Sequence, residues 1–248
     1  MIGGEIQRTR LIPLAATLAA IYGTLRLAPI SVVIGGSGRV FTAGEFIAPL
    51  LGIMLGPYAG SLAAVVGTFL GIVFTGRMNF FGLDFLPSMV NALVLGFLMR
   101  KRRLPSALLY LMLLVLWFVH PSALQFVSVP LPSGRVQFPF VWLHIVAWLL
   151  LLSPVSNRSV EWISERSALR VTGAASLLAL IGTTAQNLTG NLLFASMATP
   201  LMGISPEALE RIWSISFYVY PVERLIIVVG ATTVNVAMVK ALRAAGFL

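Results

Sequence analysis

The chain has 248 residues, of which 58% are hydrophobic and only 10% charged, with a mean hydropathy of +0.95 and a formal net charge of +9. Soluble domains carry about a quarter charged residues, so this composition describes an integral membrane protein. Its positive charge then belongs to loops beside lipid rather than to a nucleic-acid surface. There is no cysteine, which excludes disulfides, thiolate metal sites and cysteine nucleophiles.

Arg8 and Arg10 precede an apolar run that lacks a small-x-small cleavage site, which predicts a retained first helix over 11–29. Pro13 sits in its first turn, where a missing N–H costs little. Two overlapping small-xxx-small pairs, Ala15 with Ala19 and Ala16 with Ala20, lie along this helix. The stretch from Glu45 to Gly76 has no further charge and is broken once, at Gly56-Pro57-Tyr58-Ala59-Gly60. It predicts a tight hairpin of helices two (44–56) and three (58–76). Gly52, Gly56 and Gly60 are four apart, as are Gly67 and Gly71, a spacing that puts small residues on one face and lets backbones approach.

Helix four is expected over 84–99, closed by Arg100-Lys101-Arg102-Arg103, helix five over 104–119 and helix six over 139–153. Between the last two, FVSVPLPSGRVQFPF alternates apolar and polar residues around Pro-Ser-Gly, as either a small hairpin or a proline-stiffened loop does. Residues 156–170 read as an amphipathic segment on the inner membrane surface. Helix seven follows over 171–197. SPEALERIW at 205–213 has a helix-start signal and reads as a short helix at the outer surface, and helix eight follows at 221–243.

Eight helices with both termini cytoplasmic place Arg8, Arg10, the four basic residues at 100–103, Arg158, Arg166, Arg170, Lys240 and Arg243 inside. Arg26, Arg39, Arg77, Arg135, Arg211 and Arg224 remain thinly spread outside, and the excess of inner Lys and Arg favours this orientation.

Catalytic signals are weak. Gly35-Gly36-Ser37-Gly38 matches the G-x-S-G of rhomboid-type intramembrane proteases, with His120 or His144 as a notional base, but a flexible glycine turn explains the same letters. Asp84 is the only aspartate, which rules out an aspartyl dyad, and there is neither an H-E-x-x-H motif nor a G-K-[ST] phosphate loop. No enzymatic activity, metal or cofactor is expected. Polar residues near membrane depth carry more weight, because they are costly in lipid and mark sites, pathways or interhelical hydrogen bonds. Glu45, Gln186, Asn187, Asn191, Glu223 and Arg224, with Tyr218 and Tyr220, fall toward the outer half and make a candidate substrate site; Trp213 joins its aromatic rim. Asn91 and Asn235 are expected to make structural hydrogen bonds, and His144 to be a hydrogen-bonded core histidine.

Taken together, the run Gly52-Ile53-Met54-Leu55-Gly56-Pro57-Tyr58-Ala59-Gly60, continuing to Gly67 and Gly71, resembles the substrate-binding S component of an energy-coupling factor (ECF) vitamin transporter. So do Phe85-Leu86-Pro87 leading to Gly96 and Arg100–Arg103, and Tyr220-Pro221-Val222-Glu223-Arg224 opening the last helix. The resemblance covers 11–103 and 171–243 of a single transmembrane domain, and leaves 104–153 as an extra helical hairpin on a six-helix core. It implies an all-α polytopic protein of the cell membrane that captures a small water-soluble vitamin-like solute. Its partners would be a transmembrane T component and two ATPase subunits, docked through Ala15, Ala16, Ala19 and Ala20. The alternative is a stand-alone secondary transporter or channel, with Glu45, Asp84 and Glu223 as its available acidic ligands.

Overall fold

The computed structural model describes residues 8–30, 41–132 and 134–244. Ser37 and most of the loop expected at 31–43 lie outside the described residues. Eight helices and one two-stranded sheet follow in the order α1 (Arg8–Leu25), α2 (Gly44–Thr75), α3 (Leu86–Met99), α4 (Arg103–Val119), β1 (Phe126–Leu131), β2 (Gly134–Pro139), α5 (Trp142–Leu152), α6 (Pro154–Trp162), α7 (Ala168–Ala198) and α8 (Pro206–Ala244).

α2 is two helical legs joined at a break at Gly56. Gly56 adopts φ 76°, a conformation that side-chain-bearing residues avoid, and Pro57 follows it. The two legs then fold back on each other. A Cβ placed on Gly60 would meet the Leu51 carbonyl oxygen at 2.5 Å, and Gly44 and Gly71 both abut the side chain of Arg26. A straight helix would hold those last two glycines about 40 Å apart. The glycine spacing seen in the sequence has its reason here. Gly52 packs on Ala92 and Leu95 of α3, Gly67 on the Ala19 carbonyl and Tyr22 of α1, and Gly96 of α3 against the Gly56–Pro57 backbone. Lipid supplies no hydrophobic force between helices, so this close approach is what holds them.

α7 is the central helix, packed against α2, α3, α4, α5, α6 and α8. Gly44–Thr75, Ala168–Ala198 and Pro206–Ala241 are long and apolar enough to cross a membrane, and α5 and α6 together would make one more such stretch, bent by 73°. α1, α3 and α4 are shorter apolar helices. Large apolar side chains point outward along them: Leu62, Val66, Phe69 and Val73 on α2, Leu104, Leu108, Met112 and Val115 on α4, and Val222, Leu225, Ile226 and Val229 on α8. Side chains facing out in such stripes suit a hydrocarbon surround, and the chain is a helical membrane protein.

The segment after α4 is the small hairpin of the two alternatives, with Phe126 opposite Pro139 and Leu131 opposite Gly134, so the described residues hold one small sheet beside the helices. Two sequence expectations change. The amphipathic segment begins earlier, as α6, where Pro154 starts a new helix after the break at Ser153. The short helix expected at 205–213 and the last helix expected from 221 are one helix, α8, with Pro221 inside it.

The bundle has two unlike ends. At one, Lys101 pairs with Glu161 (3.4 Å), Arg103 donates to the Ser153 carbonyl, Arg170 pairs with Glu165 (2.7 Å) and Arg243 donates to the Glu165 carbonyl. The other end gathers the close of α1, both ends of α2, the start of α3, the β-hairpin and the start of α8. If the α2 fold-back depends on bare backbone contact, Gly60→Val should destabilise the protein by about 1–3 kcal/mol in detergent thermal unfolding. Gly173→Ala, a helical position with open space around it, should be neutral or slightly stabilising.

Candidate functional site

At this second end, opposite the basic cluster, two chambers lie side by side and share Phe41, Asn187 and Asn191 as a common wall. The room within them for the centre of a water-sized molecule is about 100 and 50 Å³.

The first chamber is polar, lined by Arg26, Thr42, Glu45, Asn79, Asp84, Ser88, Gln186 and Arg224 among others. Gln186 is its hub. Its Nε2 donates to both oxygens of Glu45 at 2.9 Å and to Ser88 Oγ at 3.2 Å, while its Oε1 accepts from Asn91 Nδ2 at 2.7 Å. Ser88 Oγ in turn hydrogen-bonds the buried hydroxyl of Tyr22, to which Arg26 Nη1 donates at 3.1 Å. A continuous polar chain therefore runs from α1 through α3 and α7 to the start of α2. Asp84 is committed elsewhere: its two oxygens accept the backbone N–H groups of Asn79 (2.7 Å) and Phe80 (3.0 Å), which fixes the loop before α3.

Arg224 completes this chamber. It comes from α8, its side chain is 1% exposed, and its Nη1 lies 3.9 Å from Glu45 Oε2. That separation gives electrostatic attraction but is too long for a hydrogen bond. Its guanidinium carbon stands 4.6 Å from the centre of the Phe41 ring. Nε, Nη1 and Nη2 have no hydrogen-bond partner among the described residues.

The second chamber is aromatic, walled by Phe140, Phe194, Trp213, Tyr220, Ile212 and Val219, with Ser216 and Glu223 the polar additions. Its rings support one another: Phe140 stacks on Trp117 (5.0 Å) and on Tyr220 (5.4 Å), and Trp213 meets Phe140 and Phe194 edge-on. Their polar tips are already used. Trp213 Nε1 donates to the Ser122 carbonyl at 2.9 Å and the Tyr220 hydroxyl to the Phe140 carbonyl at 2.8 Å. In the shared wall, His144 Nε2 donates to Asn187 Oδ1 at 3.1 Å, and Asn191 Nδ2 approaches the same oxygen at 3.3 Å.

Of the residues named from sequence, Glu45, Gln186 and Arg224 line the polar chamber, Tyr220 and Glu223 the aromatic one, and Asn187 and Asn191 both. Tyr218 does not join them. It is 56% exposed, because in a continuous α8 it points away from the face that carries Tyr220 and Arg224. Ala16 and Ala20 face outward on α1, whereas Ala15 is half-buried and Ala19 turns inward onto Gly67, so the two alanine pairs are not equivalent. Asn91 makes its expected interhelical bond, but both side-chain polar atoms of Asn235 are buried without a partner among the described residues.

Sequence reading missed Ser88 and Phe194, placed Arg26 and Phe140 without a site role, and gave Asp84 one only as an acidic ligand of the alternative transporter. Only Asp84, as the sole aspartate, carried a signal; the others acquire meaning from the fold-back of α2 and the β-hairpin. The structure also sets His120 Nε2 3.1 Å from Ser196 Oγ. His120 Nδ1 accepts the Ser122 N–H, so Nε2 carries the proton and cannot accept one from the serine.

No family model, curated protein or solved structure matches the chain. Gln186→Leu should cost about 1–3 kcal/mol of stability in thermal unfolding, since it strips the Glu45 carboxylate of its bonded donor. Tyr218→Ala should leave the melting temperature unchanged.

Proposed function

We propose that the protein is the membrane-embedded binding subunit for uptake of a small water-soluble, vitamin-like compound, working as the S component of an ECF-type transporter. The observation that carries this reading is Arg224: a fully buried guanidinium, lining a polar chamber, with no hydrogen-bond acceptor on any nitrogen among the described residues. Leaving such a group unsatisfied is expensive at membrane depth, and sites for polar solutes are where proteins tolerate that cost.

In this reading the basic end faces the cytoplasm of the cell membrane, following the distribution of Lys and Arg, and the chambers open outward. α1, the two legs of α2, α3, α4, α5, α7 and α8 provide eight apolar passes with both termini inside. The loaded subunit docks on a transmembrane T component driven by two ATPase subunits. The exposed Ala16 and Ala20 form the docking face, since small outward side chains permit close, reversible helix contact.

Purification of the tagged protein from its native membranes in mild detergent, with mass spectrometry of proteins and small molecules, tests this directly. Co-recovery of two ATPases, a second membrane protein and a retained solute is expected. Solute uptake that stops when the proton gradient collapses but persists without ATP would overturn it in favour of a secondary transporter. Within the proposal, the double variant Ala16→Leu with Ala20→Leu should abolish ATP-dependent uptake while leaving solute binding within about two-fold. Ala19→Leu should instead destabilise the fold, because Ala19 is buried in the packed core.

A further inference from the structure

The two chambers differ in what they leave uncommitted, and that difference specifies a ligand. In the polar chamber Gln186 has both ends of its amide engaged, Asp84 is held by two backbone amides, and Ser88 is shared between Tyr22 and Gln186. Among the described residues, Arg224 is a fully buried side chain of this chamber with donors to give, and its planar fork carries five N–H groups and no acceptor. A ligand reaching it must therefore bring acceptor oxygens. Lining charges in this chamber balance, Arg26 and Arg224 against Glu45 and Asp84, so the acceptor need not carry a formal charge.

In the aromatic chamber the hydroxyl of Tyr220 and the indole N–H of Trp213 are tied to backbone carbonyls. Those two residues, with Phe140 and Phe194, present ring surface rather than hydrogen-bonding groups. Rings fixed in stacked and edge-on array favour a flat partner that can lie against them. The chambers adjoin at Phe41, Asn187 and Asn191, so a ligand that bridges them would meet both sets of groups.

We infer that the ligand is a small planar ring compound bearing a carbonyl or carboxylate oxygen, its ring among Phe140, Phe194, Trp213 and Tyr220 and its oxygen on Arg224. This rests on the binding-subunit reading above and narrows it to a substrate class. Glu223, at the edge of the aromatic chamber, is placed to meet a donor on the far side of the ring.

The test is calorimetric titration of the full-length, ligand-stripped protein in detergent with four probes. Indole-3-acetamide and indole-3-acetate carry both ring and acceptor oxygen, neutral in the first and charged in the second. Tryptamine keeps the ring without the oxygen, and acetamide keeps the oxygen without the ring. Binding of either oxygen-bearing indole at least ten-fold tighter than both tryptamine and acetamide is expected, and the stronger of the two identifies the acceptor's charge. Arg224→Met should remove that preference, reducing affinity for the oxygen-bearing indole to that of tryptamine. Arg224→Lys, which keeps the charge but loses the fork, should recover part of it.

The inference is overturned if tryptamine or acetamide binds as well as the oxygen-bearing indoles, if none binds at about 1 mM, or if Arg224→Met binds them unchanged. Native-membrane purification separates the two claims. A retained solute without a ring or without an acceptor oxygen, recovered beside the ATPases, overturns the ligand class and leaves the transporter reading standing. The expected probe preference in a protein that recovers no ATPase and drives no ATP-dependent uptake does the reverse.

Discussion

A carboxylate and a guanidinium placed inside a helical bundle set the terms for everything around them. Glu45 and Arg224 arrive from helices far apart in sequence, and their separation of 3.9 Å gives attraction without a hydrogen bond. In a medium of low dielectric such a pair is only as stable as the polar groups that complete it. Gln186 supplies that completion on the acidic side, by turning its amide nitrogen to both carboxylate oxygens and its carbonyl to Asn91. Among the described residues the basic side has no equivalent. The imbalance between a satisfied anion and an unsatisfied cation gives the polar chamber its character.

The fold that brings them together depends on bare backbone. Gly44 and Gly71 close on Arg26, and Gly60 closes on Leu51, because none of the three has a side chain to hold the segments apart. Reversal of α2 at Gly56 puts Glu45, at the head of the first leg, beside Arg26 at the foot of α1 and Asp84 ahead of α3. Tyr22 and Ser88 then link α1 to the site by hydrogen bonds rather than by apolar packing alone. The lipid-facing half of each helix carries little of this specificity; the buried polar chain and the glycine contacts carry it.

Much of the helical layout was legible because its signals are local. Apolar runs bounded by Gly, Pro and clustered Arg located α1, both legs of α2, α3, α4 and α7 to within a few residues. Proline misled twice. Pro221 reads as a helix start, yet the helix had already begun at Pro206, and that shift in phase is why Tyr218 was grouped with Tyr220 although it faces outward. Pro154 lies in an expected loop but opens α6 at a sharp bend. Polar side chains at depth could be named from sequence because their cost in lipid is independent of fold. Tyr220 and Trp213 of the aromatic wall were named too, but Phe140 and Phe194 were not, because they are ordinary core residues until the β-hairpin and α8 enclose them with Trp213.

Pro221 has a further effect. It has no N–H to give to the Phe217 carbonyl one turn earlier, so α8 lacks one of its internal hydrogen bonds between Trp213 and Arg224. Those two residues line different chambers, Trp213 the aromatic one and Arg224 the polar one. A bend at that missing bond changes the distance between the two residues, so Pro221 bears on the shape of both chambers while lining neither.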